Sequence, residues 1–374
     1  MKFDVSVVIP LYNAKKFIRA CVDSVLNQTL KNVEVVIVDD CSTDDSLAYC
    51  RELYGNNDRV RIFQQPKNGG PGAARNRGVQ EAEGEYIAFL DSDDEMMPFN
   101  LERIFTVAKQ YDADVLHNNQ VRIVVPLDDG QVPVEMLGHD EDTFINVFDM
   151  GELIKEVQVL PDDLSKRLAR WKECEIHWLM GNKLIKRSFI IENDIVFPPI
   201  GLAEDAVFAL QCLLAAKNYV LMPGGWLLFR INPESLTRSA KTVNSVLKSV
   251  KAELEVVNML RKIAERTPFL QEKANFDIAV DTILYSMEVF SIRYGFKDVG
   301  EEALRADEGF ASFFKDNFGD NAPYVEFLFY QLHEVYPELP KIFLLHLEAL
   351  EEVKRNFKKA QAAGEEFIFE RYKL

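Results

Sequence analysis

The first 95 residues alternate between apolar strand-like runs and segments with helical spacing, and this alternation constrains the fold more than any other feature of the sequence. Strands that alternate with helices predict βαβ units and a largely parallel sheet. The apolar strands support this prediction, since parallel strands are covered by helices on both faces. The strand-like runs read VSVVIP, VEVVIVDD, RVRIFQQ and EYIAFLD, and the predicted helices cover residues 15–28, 44–54 and 72–83.

Polar segments follow directly after three of these strands, at residues 10–13, 39–45 and 91–94. In open α/β sheets, ligands bind beyond the carboxyl ends of the strands. We therefore expect the three segments to converge on one rim of the sheet, and that rim is the predicted functional site.

The third segment, DSDD, ends an apolar strand in a cluster of acids. Such a cluster is either a solvated turn or a shared site for a cation. Asp91 and Asp93 lie on the same side of an extended chain, because side chains repeat every second residue. Hard cations prefer oxygen ligands, and Mg²⁺ is often held by one or two carboxylates plus substrate phosphates. A D-x-D triplet is also common by chance, so both interpretations stay open at this point.

The segments VDDCSTDDS and NGGPGAARNRG each have a structural and a functional interpretation. In the first, residues 42–45 suit a helix cap and first turn, whereas Asp39 and Asp40 end the strand, where a carboxylate could accept a hydrogen bond from the N–H of a nucleotide base. In the second, the glycines open a helix whose free N–H groups, flanked by Arg75 and Arg77, suit an anionic or polar ligand. Taken alone, the second segment favours a purely structural loop.

The composition excludes some classes of function. A net charge of −17 argues against a nucleic-acid partner, since binding a polyphosphate backbone requires a concentrated basic face. No run approaches the roughly twenty apolar residues of a membrane span, and the first residues lack the features of a secretory signal. The five cysteines lack C-x-x-C spacing, which indicates neither a disulfide framework nor a zinc site. We therefore expect a cytoplasmic protein.

The pattern changes along the chain. Residues 126–164 are polar and irregular, which suggests a long excursion with a lid or acceptor-side role, and a helix is predicted around residues 178–186. From about residue 242 the spacing is helical only. We predict an α/β domain over residues 1–240 and an all-helical domain over residues 241–374. The helical domain could pack on the first domain, form a homodimer or rest on a membrane, and these alternatives stay open.

Four ordered motifs resemble glycosyltransferase family 2, whose members are inverting enzymes of the GT-A fold. The motifs are VSVVIPLYN, VEVVIVDDCSTDDS, NGGPGAARNRG and GEYIAFLDSDD, and the resemblance resumes at GNKLIKRSFI, GLAEDAVFAL and FRINPESLTR. It implies a Rossmann-like GT-A catalytic domain with a mostly parallel central sheet, followed by the helical domain. Processive members add a Q-x-x-R-W motif after the catalytic base and several membrane spans. This sequence has neither, so the resemblance is to non-processive bacterial-type enzymes.

The resemblance implies transfer of one sugar from a UDP-sugar to a hydroxyl of a saccharide or lipid-linked glycan, with inversion to a β-linkage. It also implies a role in surface polysaccharide or glycan biosynthesis, a divalent cation (Mn²⁺ or Mg²⁺), and a cytoplasmic or peripheral location at the inner face of the plasma membrane. A catalytically silent nucleotide-sugar-binding or scaffolding protein is the competing hypothesis. A nucleotidyltransferase would require a glycine-rich loop after the first strand, where this sequence reads IPLYNAKKF.

The resemblance assigns roles to individual residues. Asp205 matches the catalytic base, with Glu204 helping to place the acceptor. Asp91 and Asp93 match the D-x-D pair at the ribose and the divalent cation. The expected contacts to the nucleotide-sugar are Pro10, Tyr12, Asn13, Asp39, Arg75, Asp91, Ser92 and Arg230.

Some expectations concern the acceptor and the loops. His177, Trp178 and Lys183 lie where similar enzymes contact the acceptor, although an aromatic residue in IHWLM is more often part of a core. Residues 230–238 fall in the loop that similar enzymes close over the diphosphate. Cys41 stands where many relatives have glycine, so the turn after the second strand is expected to differ in shape.

Overall fold

The computed structural model describes most of the chain and divides it into two compact units. The first covers Met1–Pro199 and Glu204–Pro233, and the second covers Ile200–Ala203 and Glu234–Leu374. The domain boundary near residue 240 stays a prediction, and most of the predicted excursion at residues 126–164 lies outside the described residues. The described residues are 2–118, 122–124, 155–173, 175–224, 227–230, 241–287, 298–323, 325–326, 329–330, 355 and 358–359.

The first unit follows the alternation of strands and helices that the sequence predicts. Its strands are β1 (Phe3–Leu11), β2 (Val33–Asp39), β3 (Val60–Gln64), β4 (Gly84–Phe89), β5 (Glu95–Met96), β6 (Val115–Asn118), β7 (Arg122–Val124), β8 (Gln158–Val159), β9 (Lys183–Lys186), β10 (Tyr219–Met222) and β11 (Leu227–Arg230). Its helices are α1 (Ile18–Leu26), α2 (Ser46–Tyr54), α3 (Gly70–Glu81), α4 (Asn100–Gln110), α5 (Leu164–Lys172), α6 (Arg187–Glu192) and α7 (Glu204–Ala215).

Among the described residues, eight strands form one sheet in the order β3-β2-β1-β4-β9-β6-β10-β8. The pairs β1–β2, β1–β4, β2–β3 and β6–β10 are parallel, and β9 and β8 pair antiparallel with their neighbours. Strands β5, β11 and β7 form a second, small sheet. Every residue of β2 is buried, as expected for a strand covered on both faces. The predicted mostly parallel sheet is confirmed.

The helix predicted around residues 178–186 is wrong. A short 3-10 turn over Met180–Asn182 leads directly into β9, which pairs antiparallel with both β4 and β6. Leu184 and Ile185 are completely buried on opposite sides of this central strand. A strand that is covered on both faces shows no alternation of apolar and polar residues, so its sequence is easily read as a buried helix.

A buried carboxylate joins β1 and β2 away from the carboxyl rim of the sheet. Glu34 is fully buried, and one of its oxygens accepts hydrogen bonds from the Ser6 hydroxyl at 2.5 Å and the Glu83 N–H at 2.6 Å. Its other oxygen lies 3.5 Å from the guanidinium of Arg61. The Ser6 hydroxyl in turn accepts from the N–H of Gly84, so Glu34 organises donors from three segments of chain.

Replacing Glu34 with Ala is expected to lower the free energy of unfolding by about 2–4 kcal/mol, because two buried donors lose their acceptor. Urea unfolding followed by circular dichroism measures this change. Glu34→Gln keeps a carbonyl acceptor at the same place and should lose clearly less. An unchanged unfolding midpoint in Glu34→Ala would show that Ser6 and Glu83 find other partners.

The described residues of the second unit are mainly helical, as predicted for this part of the chain. Thr242 and Ser245 form a reciprocal cap, in which each side chain accepts a hydrogen bond from the other's backbone N–H. Within the described residues, no helix combines the length and apolar character needed to cross a membrane. The helices are α8 (Val243–Arg266), α9 (Pro268–Gln271), α10 (Lys273–Met287), α11 (Glu301–Arg305) and α12 (Glu308–Phe318).

Candidate active site

The strand order reverses between β1 and β4, because β2 and β3 lie on one side of β1 and β4 lies on the other. In open α/β sheets, the crevice at the carboxyl ends of such strands is the usual binding place. Tyr12 follows β1 at this rim and is 49% exposed. The side chain of Asp91 follows β4 and is also 49% exposed. The structure thus brings the predicted segments after β1 and β4 to the same rim.

Three residues that are predicted to bind the nucleotide are buried or hydrogen-bonded to the protein backbone. Pro10 lies within β1 and is buried. The buried carboxylate of Asp39 accepts from the N–H of Ser42, with both oxygens at 3.3 Å. The side-chain oxygen of Asn13 accepts from two backbone N–H groups of the next loop. The nucleotide-binding roles of these residues and of Tyr12 stay predictions.

The turn after β2 contains a residue in the left-handed region. Cys41 has a φ of +62°, a conformation that glycine adopts without cost. Its thiol donates a hydrogen bond to the carbonyl of Gln65 at 3.2 Å. The cysteine therefore takes up the backbone conformation that glycine reaches freely, and a glycine is not required for this turn.

The amino end of α3 is closed by a side chain from the neighbouring loop. The two carboxylate oxygens of Asp40 accept hydrogen bonds from the N–H groups of Gly69 and Gly70, at 2.9 and 2.7 Å. Asn68 adds a hydrogen bond from its amide to the carbonyl of Asp40. These helix N–H groups, which the sequence made candidates for an anionic ligand, are thus already satisfied. Asp40, a candidate for binding a nucleotide base from the sequence, thus holds the backbone of the neighbouring loop.

Gly72 allows α3 to pack closely against the start of α7. A Cβ at this position would lie 2.9 Å from Cγ of Glu204 and 3.1 Å from Cβ of Phe197. Gly78, further along α3, is equally tight, since a Cβ there would lie 2.2 Å from a methyl group of Val8 in β1. The glycines of this motif therefore serve close packing of α3 around the candidate site.

Gly72→Ala is expected to lower kcat by about tenfold or more, because the added methyl group must displace Glu204, and misplacing an active-site group is costly. Steady-state kinetics with the donor at saturation measures this effect. Gln80→Ala, an exposed change on the same helix, serves as the matched control. A Gly72→Ala enzyme with full kcat would show that Glu204 tolerates displacement.

Arg75 connects the two acidic parts of the site. Its guanidinium lies 2.8 Å from Oδ1 of Asp91 and 3.0 Å from Oε1 of Glu204, and it stacks over the ring of Phe197 at 5.4 Å. Arg75 is only 6% exposed. Burial by itself lowers the pKa of the guanidinium, but Asp91 and Glu204 outweigh that effect and raise it. Arg75 therefore stays charged, and its role as a nucleotide ligand stays a prediction.

Asp205 stands in the first turn of α7 beside Glu204. Its Oδ1 accepts a hydrogen bond of 2.8 Å from the N–H of Ala206. Burial, and next the negative charge of Glu204, raise the pKa of Asp205 to about 7. Adjacent carboxylates thus have different environments, since Glu204 pairs with Arg75 whereas Asp205 is poised to exchange a proton near neutral pH.

The acidic segment after β4 offers carboxylates of differing exposure. Asp94 is buried, and its N–H donates to the carbonyl of Asp91 at 3.0 Å. Asp91, Ser92 and Asp93 are partly exposed. Burial, and then the charges of Asp94, Asp93 and Asp91, raise the pKa of the nearby Cys21 thiol well above its usual range. The negative charges of this acidic segment therefore add up at Cys21.

The donor set suits a hard cation only in part. Within the described residues, no group of three acidic, histidine or cysteine side chains is arranged to hold a metal ion. Asp91 and Asp93 supply two carboxylates, and Mg²⁺ or Mn²⁺ bound in this way takes its other ligands from substrate phosphates and water. The residues therefore fit a cation that binds together with a phosphorylated ligand.

The predicted acceptor residues lie in the interior. Trp178 and His177 are 8% and 6% exposed, and Lys183 is 1% exposed. The ammonium of Lys183 donates to the carbonyls of His177 and Leu179 at 2.5 and 2.7 Å, and burial lowers its pKa to about 7. The amide of Asn182 contacts the His177 ring, a contact that no sequence motif announced. The acceptor roles stay predictions.

The predicted closing loop begins at the end of β11. Arg230 ends β11, in register with Val124 of β7. The rest of the predicted segment, residues 231–238, lies outside the described residues.

Two independent features now point to one class of protein. A mostly parallel sheet with a reversal of strand order provides a binding rim. Arg75 links Asp91 at that rim to Glu204, and the pKa of the adjacent Asp205 is raised by burial. Together they define an α/β enzyme whose chemistry depends on carboxylates.

Comparison with known proteins identifies the family. The Glycosyl transferase family 2 profile matches residues 6–142. Glycosyltransferase GlyG of Streptococcus pneumoniae is 30% identical over 237 residues, which are 63% of this chain and 73% of GlyG. The chain belongs to glycosyltransferase family 2 and is a glycosyltransferase. The poly(ribitol-phosphate) beta-glucosyltransferase of Bacillus spizizenii is 32% identical over 218 residues, 57% of this chain, and the match spans only 30% of that relative.

A solved structure supports the fold. The crystal structure of Staphylococcus aureus TarS residues 1–349 in complex with UDP-GlcNAc has a TM-score of 0.60, and the match covers 98% of this chain and 93% of that chain. At 22% sequence identity, this likeness concerns the fold alone. The expected GT-A fold with a helical carboxy-terminal part is confirmed.

Proposed function

We propose that this glycosyltransferase moves one sugar from a UDP-sugar to a hydroxyl group of a saccharide or lipid-linked glycan, with inversion at the anomeric carbon. The observation that carries the proposal is the pair Glu204–Asp205, in which one acid is ion-paired to Arg75 and the other has a pKa raised to about 7. The complexes of TarS with UDP and UDP-GlcNAc support the choice of donor class. The β-linkage in the name of the Bacillus spizizenii relative agrees with inversion of an α-linked donor.

The proposed reaction is a single displacement. The acceptor oxygen forms a bond to the anomeric carbon while the bond from that carbon to UDP breaks, and the acceptor's proton passes to Asp205. UDP leaves with the bonding electrons. One displacement inverts the configuration, and it requires a base on the acceptor side and stabilisation of charge on the leaving group.

The ion pairs of Arg75 give the carboxylates of the site different roles. Its positive charge is paired with Asp91 at 2.8 Å and with Glu204 at 3.0 Å. For Asp205, burial and the charge of Glu204 outweigh the charge of Arg75, so its pKa is raised to about 7 and it is the acid that titrates near neutral pH. Glu204 then helps to place the acceptor, and Asp205 accepts the proton.

Asp91 and Asp93 would hold the divalent cation, Mn²⁺ or Mg²⁺, together with the donor's diphosphate. When bound, such a cation offsets the negative charge that develops on the departing UDP. Asp91 also accepts a hydrogen bond from Arg75. Because Arg75 pairs with Glu204 as well, it links the proposed cation site to the carboxylate beside the proposed base, Asp205.

We place the enzyme in surface polysaccharide or glycan biosynthesis, because the named polymer of the Bacillus spizizenii relative is poly(ribitol-phosphate). A lipid-linked acceptor would bring the protein to the inner face of the plasma membrane as a peripheral protein. That location, and a homodimer formed through the helical region, stay predictions.

Screening a panel of UDP-sugars with Mn²⁺ for release of UDP tests the proposed function. We expect turnover with UDP-glucose, UDP-galactose or one of their N-acetyl forms. NMR of the product formed with a saccharide acceptor then reports the anomeric configuration, and an α-linked product would refute inversion. Silence across the whole panel, with UDP still bound, would favour a nucleotide-sugar-binding protein instead.

The pH dependence of kcat/KM provides a separate prediction. It is expected to rise as pH increases through about 7, because below its raised pKa Asp205 is protonated and cannot accept a proton. Glu204→Gln removes a charge that raises this pKa, so the acid limb should move to lower pH. An acid limb near pH 4, the ordinary carboxyl range of about 4, would exclude Asp205 as the titrating base.

A further inference from the structure

The loops after β1 and β2 are joined by reciprocal hydrogen bonds, which we call the loop clasp. On one side, Oδ1 of Asn13 accepts from the N–H groups of Thr43 and Asp44, at 2.8 and 3.2 Å. The amide of Asn13 also donates to the Thr43 hydroxyl at 3.1 Å. One side chain of the first loop thus satisfies two backbone donors of the second.

Side chains of the second loop likewise accept hydrogen bonds from the backbone of the first loop. The hydroxyl oxygen of Ser42 accepts from the N–H of Asn13 at 3.1 Å, and that of Ser46 accepts from the N–H of Ala14 at 2.9 Å. Backbone groups in short loops otherwise depend on water, so these bonds fix each loop against the other. Neither loop can move without breaking the contacts of its partner.

The clasp holds unusual backbone conformations on both sides. Asn13 has a φ of +49° and Cys41 a φ of +62°. Asparagine tolerates the left-handed region better than most residues, which explains its use at this position. Such conformations persist where surrounding contacts determine them, and they concentrate at ligand sites.

The clasp lies beside the predicted nucleotide contacts. Tyr12, immediately before Asn13, is 49% exposed, whereas Asp39 at the end of β2 is completely buried. The N–H of Asp40 donates to the carbonyl of Leu11 at 2.8 Å, so the two strand ends are also tied. The exposed edge at Tyr12 and the buried carboxylate at Asp39 are therefore held in a fixed relation.

Resting on the proposed function, we infer that Asn13 is a positioning residue of the donor-nucleotide pocket rather than a direct ligand. Its side chain fixes the loop clasp, and the clasp holds the exposed Tyr12 in a ready-made position for the base, with the buried Asp39 fixed behind it. A pocket that is ordered before binding avoids the entropic cost of ordering loops around the ligand. Loss of the clasp should therefore weaken donor binding much more than it slows transfer from bound donor.

Calorimetry with UDP and Mn²⁺, together with donor kinetics, tests this inference. Asn13→Ala removes the acceptor of two backbone donors and is expected to weaken UDP affinity and raise the donor KM by about tenfold or more, with a smaller effect on kcat. Asn13→Asp keeps both acceptor bonds and should recover most of the affinity. Lys15→Ala, which removes the exposed ion pair with Asp45 across the same loops and the contact of the ammonium with the Tyr49 ring, is the matched control and should match the parent enzyme.

Base discrimination separates positioning from contact. If Asn13 only positions the loops, Asn13→Asp keeps the preference for UDP over CDP and GDP. Loss of that preference in Asn13→Asp would show direct contact with the base and overturn the inference. An Asn13→Ala enzyme with UDP affinity within twofold of the parent would overturn it as well.

Amide hydrogen exchange distinguishes failure of the inference from failure of the proposed function. Thr43 and Asp44 should exchange slowly in the parent protein and faster in Asn13→Ala, whether or not UDP is the donor. Absence of UDP binding by the parent protein would refute the proposed donor, and equal exchange in both proteins would still refute the clasp. A thermal melt of Asn13→Ala shows whether the variant is folded.

Discussion

Replacing Asp205 with Asn is expected to lower kcat by about a thousandfold while UDP binding stays close to that of the parent enzyme, because a positioned general base contributes about 10²–10⁴-fold to the rate. The amide has nearly the shape of the carboxylate, but it cannot accept the proton of the acceptor hydroxyl. It also removes a negative charge beside Glu204, whose ion pair with Arg75 does not include Asp205. Single-turnover transfer and calorimetry with UDP measure the two quantities separately.

Asp58→Asn is the matched control for this variant, since it is the same chemical change at an exposed position. Near-normal turnover in Asp205→Asn would remove Asp205 as the base. Loss of UDP binding together with activity would instead show that Asp205 supports the donor pocket, and the assignment of the base would then pass to another group.

The second large effect is expected at the proposed cation site. Asp93→Ala should weaken UDP affinity in the presence of Mn²⁺ by about tenfold or more, since even outer-shell changes at metal sites cost about 10–100-fold. Without a divalent cation, the parent and variant should bind UDP about equally weakly. Calorimetry with and without Mn²⁺ therefore gives four affinities, and their ratio isolates the cation-dependent part.

Asp58→Ala serves as the control for general loss of negative charge, which alone would strengthen binding of an anionic ligand slightly. Unchanged affinity of Asp93→Ala in Mn²⁺ would refute the cation role of this residue. A cation-dependent gain that survives in Asp93→Ala but disappears in Asp91→Ala would assign the cation to Asp91 alone.

The parallel half of the sheet could be predicted because its signal is local. Strands β1, β2 and β4 are short apolar runs that end in polar residues, and each is followed or preceded by a helical segment. The rule that ligands bind beyond carboxyl ends then located the rim without any knowledge of contacts. Strand β9 gave no comparable signal, since it enters the centre of the sheet far along the chain and is covered on both faces.

The chemistry of the site depends on distant contacts that a sequence does not display. Arg75 pairs with Asp91, 16 residues away, and with Glu204, 129 residues away. Its proximity to a nucleotide was predicted by resemblance, whereas its position between two carboxylates was not. The pKa of Asp205 is raised chiefly by burial and next by the charge of Glu204. The burial depends on how α7 packs in the fold, which the sequence does not display.

Side chains with two plausible roles were the hardest to interpret. His177 and Lys183 carry groups that could bind a sugar, yet both residues are buried, and the Lys183 ammonium donates a hydrogen bond to the carbonyl of His177. Asn13 and Asp40 were equally ambiguous, since amides and carboxylates serve ligands and backbone N–H groups alike. Only the geometry shows that their oxygens are bound to backbone donors.

Helix α3 contacts three of the elements that form the candidate site: the loop after β2, the segment after β4 and the start of α7. Its amino end is bound by Asp40, Arg75 reaches both Asp91 and Glu204, and Gly78 lies against Val8 of β1. A change on the inner face of this helix would disturb donor and base together. Attempts to alter sugar or acceptor preference by engineering should therefore keep α3 constant and place their diversity in loops that do not touch it.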